Sequence, residues 1–277
     1  EAGFKRPQGM CWYDGFLWVA DTENHAVRRV DLEERTVTTV AGTGEKGTSW
    51  YSAQDGWMAG LDTALRSPWD LEPTSEGITV AMAGSHQIWL LDPIGGFVKV
   101  FVGRKFKEGL KDGSSMGAEY AQPSGLALSL DGTTLYVADS ESSAIRAVDM
   151  ETAFTTTIVG TGLFDYGDVD GVGDEVLLQH AVGLEVLPDG LLMVADTYNN
   201  KLKLIDPETK QSASLIWQPP GVPLHQPRGI SRIGDLLYIT DTNNHRVLTY
   251  DLVTNTGAEL PLPGLEPPAL DGFIATD

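Results

Sequence analysis

The sequence predicts an all-β propeller. Three observations predict it: a strand-turn-strand phrase that returns five times, a Pro-x-Gly-like opening ahead of each copy, and apolar runs of strand length with no helical period. The copies are Leu17–His25, Thr79–His86, Leu135–Ser143, Leu192–Asn200 and Leu237–His245, and the first reads Leu-Trp-Val-Ala-Asp-Thr-Glu-Asn-His. Aligned on Asp21, Gly84, Asp139, Asp196 and Asp241, they stand 63, 55, 57 and 45 residues apart. That is the period of a four-stranded propeller blade with connections of variable length.

In the first unit, strands are expected at Gly9–Trp12, Phe16–Ala20, Ala26–Asp31 and Val37–Ala41. A Tyr-Asp-Gly turn, the Asp21–His25 loop and a Gly-Thr-Gly exit bound them. The other units open at Pro68-Trp-Asp, Pro123-Ser-Gly, Ala181-Val-Gly and Pro227-Arg-Gly, as the first does at Pro7-Gln-Gly. The reading is therefore one propeller domain over residues 1–268, with repeats beginning near 7, 68, 123, 181 and 227, and a linker or ring-closing tail at 269–277.

Apolar residues make up 42% of the chain, enough for a core, and 31 glycines with 15 prolines suit an architecture of turns. No run of 18 apolar residues offers a membrane-spanning helix. No signal peptide is visible, and a chain that opens on Glu1 reads as a processed form or a piece of something longer, either of which leaves room for a targeting segment that has been removed. Asp and Glu number 39 against 19 Lys and Arg, a formal charge of −20 that repels phosphate backbones and anionic lipid, so nucleic acid and direct membrane insertion are not expected. Cys11 is the single cysteine; it permits no internal disulfide and reads as a small buried hydrophobe.

The repeated Asp-Thr-x-Asn-His residues read as turn staples, because a carboxylate ending a strand accepts N–H groups of the following turn and Asn tolerates left-handed backbone. His25, His86 and His245 occupy one position in three units, and equivalent positions spread around a ring do not converge on one ion. The Gly167–Glu175 segment imitates a calcium loop, but its twelfth ligand position from Asp168 is Gln179 instead of Glu, and repeated Asp-Gly turns at residues 55, 112, 170 and 271 explain it better. No nucleophile elbow is present, so no catalytic residue, metal or cofactor is assigned. The rival reading is a metal-dependent lyase or hydrolase at the central channel, with His180 and His225 near its mouth.

Val19-Ala-Asp-Thr-Glu-Asn-His25 with Val27-Arg-Arg-Val-Asp31, and Ile145-Arg-Ala-Val-Asp149, resemble NHL repeats. More narrowly, Met82-Ala-Gly-Ser-His-Gln-Ile-Trp89, Ala121-Gln-Pro-Ser-Gly125 and Gly167-Asp-Val-Asp-Gly-Val-Gly173 resemble the propeller of the thioredoxin-like NHL-repeat protein family. The resemblance implies a six-bladed propeller beside a thioredoxin-like domain, whereas five repeats and no cysteine pair are found here, so no redox activity is assigned. Glu175–His180 and Leu260–Pro268 are nearer to the plant and algal branch. That branch implies the thylakoid lumen and photoprotection, with the cytosol as the alternative compartment.

The function expected is a non-enzymatic scaffold for a protein partner, such as a membrane complex or a thioredoxin-like domain. In propellers the loops between second and third strands share a face with the linkers between blades. The long linkers carry Trp50, Tyr51, Trp57, Phe106, Phe164 and Tyr166, which are the candidate partner-binding residues.

Overall fold

The computed structural model describes residues 3–264 apart from residues 106 and 218. It is an all-β propeller of five blades. Blade 1 comprises β1 (Met10–Tyr13), β2 (Phe16–Asp21), β3 (Ala26–Asp31) and β4 (Thr36–Ala41). Blade 2 has β5 (Met58–Ala59), β6 (Pro68–Thr74), β7 (Gly77–Met82), β8 (Gln87–Leu91) and β9 (Phe97–Val102). Blade 3 has β10 (Pro123–Leu128), β11 (Thr134–Asp139), β12 (Ala144–Asp149) and β13 (Thr155–Val159). Blade 4 has β14 (Gly171–Val172), β15 (Leu184–Val186), β16 (Leu192–Asp196), β17 (Lys201–Ile205) and β18 (Gln211–Ser214). Blade 5 has β19 (Pro227–Ile233), β20 (Leu236–Asp241), β21 (Arg246–Asp251) and β22 (Thr256–Glu259). Each sheet runs antiparallel in chain order, and β5 and β14 add a fifth strand along the outer edges of blades 2 and 4.

Every turn between second and third strands is one 3-10 turn closed by a residue in the left-handed region: His25, His86, Ser143, Asn200 and His245, with φ between 48° and 57°. Asn and His accept that region more readily than branched residues do, which is why the sequence phrase ends on them. Counting back from this residue corrects the alignment of the second unit. The residue equivalent to Asp21 is Met82, not Gly84, because both stand four residues before the left-handed closure.

The core lies between blades. Trp18 and Val27 of blade 1 pack on Leu71, Val80 and Trp89 of blade 2. Ile88 and Val102 pack on Leu126 and Val137 of blade 3, and Ile145 and Val159 pack on Leu184 and Val194 of blade 4. Met193 and Leu202 of blade 4 pack on Leu237, Ile239 and Leu248 of blade 5. Each such side chain is worth about 1.5–3 kcal/mol of burial, so a blade is stable only against its neighbours. Among the described residues no comparable cluster joins blade 5 to blade 1.

The Pro-x-Gly openings follow from how closely inner strands approach. A methyl group on Gly125 would overlap the carbonyl oxygen of Val182, and one on Gly183 that of Arg228, in each case on the next blade. At Gly229 the nearest atom is the Thr240 hydroxyl of its own blade, 3.2 Å away. Gly183→Ala is therefore expected to lower stability by about 1–3 kcal/mol through overpacking, and Gly229→Ala by much less. Thermal or urea unfolding of the two variants checks this, and equal losses would refute the assignment.

Candidate functional site

The face that carries the turns and linkers is built around one buried acceptor per blade. Asp139 has no exposed surface and accepts the Ala121 N–H at 2.7 Å, the Ser142 hydroxyl at 2.9 Å and the Arg146 guanidinium at 3.2 Å. Asp196 takes the Gln179 N–H and the Asn199 amide, both at 2.7 Å, with the Lys203 ammonium 4.0 Å away. Asp21 takes the Lys5 N–H, the Asn24 amide and Arg28 at 2.8–2.9 Å, and Asp241 takes the His225 N–H, the Asn244 amide and Arg246 at 2.7–2.8 Å. The staple is real, but its backbone donor lies in the linker entering the blade and not in the following turn, which contributes a side chain instead. In blade 2 the Met82 sulfur receives the equivalent linker N–H, from Arg66 at 3.4 Å, and Trp89 stands where Arg146 stands in blade 3.

The next linker residue makes the bond between blades. Ser67 N–H donates to His25 Nδ1 at 3.1 Å, Gln122 N–H to His86 Nδ1 at 3.1 Å, His180 N–H to Ser143 Oγ at 3.1 Å and Gln226 N–H to Asn200 Oδ1 at 2.8 Å. Both histidines must be neutral to accept, and burial holds their pKa values below the ordinary imidazole value. All four donors have left-handed φ, a second repeated strain the sequence does not advertise.

The candidate aromatics separate. Phe164 is 88% exposed and Tyr166 is 60% exposed on the linker into blade 4. The Asn199 amide ties that linker to the turn by donating to the Gly167 carbonyl at 2.6 Å, and Tyr198 of the same turn stacks on His180 at 4.5 Å. Trp57 is exposed but lies on the outer rim of blade 2, with Lys99 Nζ 4.6 Å from its ring centroid. Tyr51 meets Trp89 edge-on and is a wall of the core, and Trp50 is half-buried beneath the Arg66 guanidinium. Phe106 lies outside the described residues.

The calcium-like segment is organised by a lysine. Lys203 is fully buried and its ammonium lies 2.8 Å from Asp170 and 3.2 Å from Asp168. In blade 3, Asp112 meets Arg146 in the same way at 3.0 Å, so the Asp-Gly linkers supply counter-charges to the third strands. Among the described residues no three His, Cys, Asp or Glu side chains are grouped to hold a metal ion.

The inner strands enclose a channel of about 340 Å³ lined by Asp70, Glu72, Glu185, Arg228 and Ser124 among others. Neither His180 nor His225 lines it. Asp70 accepts the Leu126 N–H at 2.9 Å and Glu72 the Leu128 N–H at 3.3 Å, tying β6 to β10. Burial raises Asp70 to about 7, Glu72 to about 8 and Glu185 to about 7. The Cys11 thiol is pushed up by burial and then by Asp70 and Glu72, so it stays protonated. Sequence reasoning missed these carboxylates, although one signal was present: Pro68-Trp-Asp70 puts Asp where the four other units have Gly.

No protein-family model matches the chain. It is 38% identical, over 97% of its length, to Protein SUPPRESSOR OF QUENCHING 1, chloroplastic, of Arabidopsis thaliana. It is 36% identical, over 98% of its length, to NHL repeat-containing protein 2 of Homo sapiens. The chain spans 27% of the plant relative and 42% of the human one. Among solved structures, a nidogen/laminin complex matches with TM-score 0.64 at 15% identity, covering 91% of this chain and 78% of that one. A streptogramin B lyase matches with TM-score 0.58 at 15% identity, covering 93% of this chain and 69% of that one. At such identity these two likenesses are of fold alone.

Two expectations follow from the site. Asp139→Ala leaves Arg146 buried without its carboxylate and strands the Ala121 N–H, and is expected to cost about 2–4 kcal/mol. Replacing both residues as blade 2 does, with Asp139→Met and Arg146→Trp, is expected to recover much of that loss in thermal melts. The channel carboxylates bind protons more tightly folded than unfolded, so their contribution is full below pH about 4 and is lost as pH rises through 7–8. Melting temperature is expected to fall between pH 6 and 8.5, and Glu72→Gln, which stays neutral, to flatten part of that fall; an unchanged slope in the variant would refute it.

Proposed function

The chain belongs to the NHL-repeat β-propellers, and from that premise we propose that it is a non-enzymatic scaffold holding a protein partner on its turn-and-linker face. The observation that carries this reading is the exposure of Phe164 and Tyr166 beside the turn of blade 4. Aromatic rings held this far into water add nothing to the core, and their desolvation by a partner is favourable. The Asn199 bond and the buried Asp196 give them a firm base. Of the channel carboxylates, Asp70 and Glu72, by contrast, are engaged as acceptors for backbone N–H groups of the neighbouring blade, and Glu185 lies 3.7 Å from the Arg232 guanidinium.

A net charge of −20 favours a partner surface that is basic or neutral around its apolar contact. A membrane complex or a thioredoxin-like domain fits the resemblance to longer relatives. The plant relative's name carries the word chloroplastic, which supports a plastid setting; the thylakoid lumen is the finer proposal and the cytosol the alternative.

A photo-reactive amino acid at Tyr166, and another at Asp189 on the opposite face, tests the reading in cells that make the protein. A discrete protein adduct is expected from position 166, lost when Phe164→Ala is added, with thermal stability unchanged. Adducts formed only from position 189 would overturn the assignment of the face.

A further inference from the structure

Among the described residues, blade 2 is the one blade held on both sides by imidazole. At its seam with blade 1 the Ser67 N–H donates to His25 Nδ1, and at its seam with blade 3 the Gln122 N–H donates to His86 Nδ1, both at 3.1 Å. The seams farther along the chain put a serine hydroxyl and an amide oxygen in the same place: Ser143 accepts from His180 N–H, and Asn200 from Gln226 N–H. Those two acceptors do not titrate. An imidazole does, because accepting at Nδ1 requires the neutral ring with its proton on Nε2, and a second proton sets one N–H against another.

The surroundings of the two rings oppose that second proton without sealing it out. Both residues are half-buried, so water reaches them. Around His25 stand Lys5 and Glu23 of blade 1 and its entrance, and Lys46 and Arg66 of the linker into blade 2. The Ser67 hydroxyl lies 3.5 Å from the same nitrogen. Around His86 stand Arg66, Glu108 of the linker into blade 3 and Glu141 of the blade 3 turn, with the Trp50 ring stacked 6.4 Å away. Arg66 acts on both rings and is held in place, since its guanidinium donates to the Gly84 carbonyl at 2.9 Å and to the Gly47 carbonyl at 3.0 Å. Burial is the main reason that both imidazoles titrate below their ordinary value of 6.5; the cations add to it, and Glu23, Glu108 and Glu141 pull the other way. The folded state therefore favours the neutral rings, so the two bonds are intact above pH 6.5 and are lost as pH falls through the lowered values.

We propose that His25 and His86 form an acid latch on blade 2. When the rings take up protons they release the Ser67 and Gln122 N–H groups, and the linkers on the two sides of blade 2 loosen together. The seams closed by Ser143 and Asn200 stay shut. The buried carboxylates respond with the opposite sign. Asp70, Glu72 and Glu185 in the channel, and Asp139, which holds the Ala121 N–H beside Gln122, are all raised by burial, so acid favours their folded forms and the latch works against them.

Hydrogen exchange of the whole chain at pH 7.5 and 5.0, corrected for the intrinsic pH dependence of amide exchange, tests the latch against the double variant His25→Asn/His86→Asn. Asn stands at this position in blade 4, at φ 57° and with its Oδ1 accepting the linker N–H, so it keeps the bond and the backbone and removes the titration. In the unsubstituted chain, the peptides holding Ser67 and Gln122 are expected to lose protection by about tenfold or more at pH 5.0 relative to the peptide holding Gln226, and in the variant by less than about twofold. The proposal falls if the variant loses as much protection as the unsubstituted chain, or if either peptide of the unsubstituted chain fails to respond. Nitrogen-15 NMR of the imidazoles gives a reading that needs no variant. Bare Nδ1 and protonated Nε2 are expected in both rings at pH 7.5, and a proton on Nδ1 of either ring at that pH would overturn the proposal.

Discussion

The rest of the fold depends on a buried acceptor at the end of each second strand. A linker reaching the inner strand has to turn sharply, and a turn that buries its N–H without a partner costs roughly 1–3 kcal/mol. Asp21, Asp139, Asp196 and Asp241 remove that cost, and each fixes where its linker ends. Once Lys5, Ala121, Gln179 or His225 is held, the following residue is committed to left-handed backbone and the strand after it to the channel. Burying a carboxylate is itself expensive, and Arg28, Arg146, Lys203 and Arg246 supply the compensating charge from the third strand. Asp139 and Asp196 still sit high, at about 6, because burial outweighs these partners.

Blade 2 shows that the requirement is for an acceptor and a filled volume, not for charge. Met82 and Trp89 replace the aspartate and the cation, the sulfur takes the linker N–H, and both side chains join the core between blades 1 and 2. A thioether is a weak acceptor, but no desolvated charge has to be offset, and exchanging a buried ion pair for apolar residues of similar volume is often neutral or better. The same chain thus carries two solutions to one steric problem. The polar one couples stability to pH, and the apolar one does not.

What the sequence made legible was whatever repeats in residue type. The five units, the four strands of blade 1 to within a residue, the Pro-x-Gly openings and the turn phrase are all chemistry written at fixed offsets. Contacts whose partners vary were hidden. Ser67, Gln122, His180 and Gln226 share a backbone conformation and an interblade bond but no side-chain chemistry. The channel carboxylates were hidden because Asp70, Glu72 and Glu185 gain their character from inner strands that successive blades bring around one channel. Of the aromatics, composition could not separate Tyr51, which the core absorbs, from Tyr166, which it leaves in water.

The buried acceptors also explain how this face can vary without unsettling the fold. A linker is pinned at its last two residues, by the aspartate or methionine of the blade it enters and by the turn of the blade it leaves. Its interior is then an ordinary loop, and doubling a flexible loop costs only about 0.6 kcal/mol of closure entropy. The 22 residues from Glu45 to Arg66 can therefore add β5 to a blade edge, and the linker into blade 4 can lift Phe164 and Tyr166 into solvent, while Arg66 and Gln179 donate to their acceptors as the shorter linkers do. Nothing comparable frees the opposite face, where Asp31, Asp149, Asp206 and Asp251 each hold a short turn by accepting two consecutive N–H groups. Sequence can change at little cost in stability on the turn-and-linker face, which is the face proposed above for a partner.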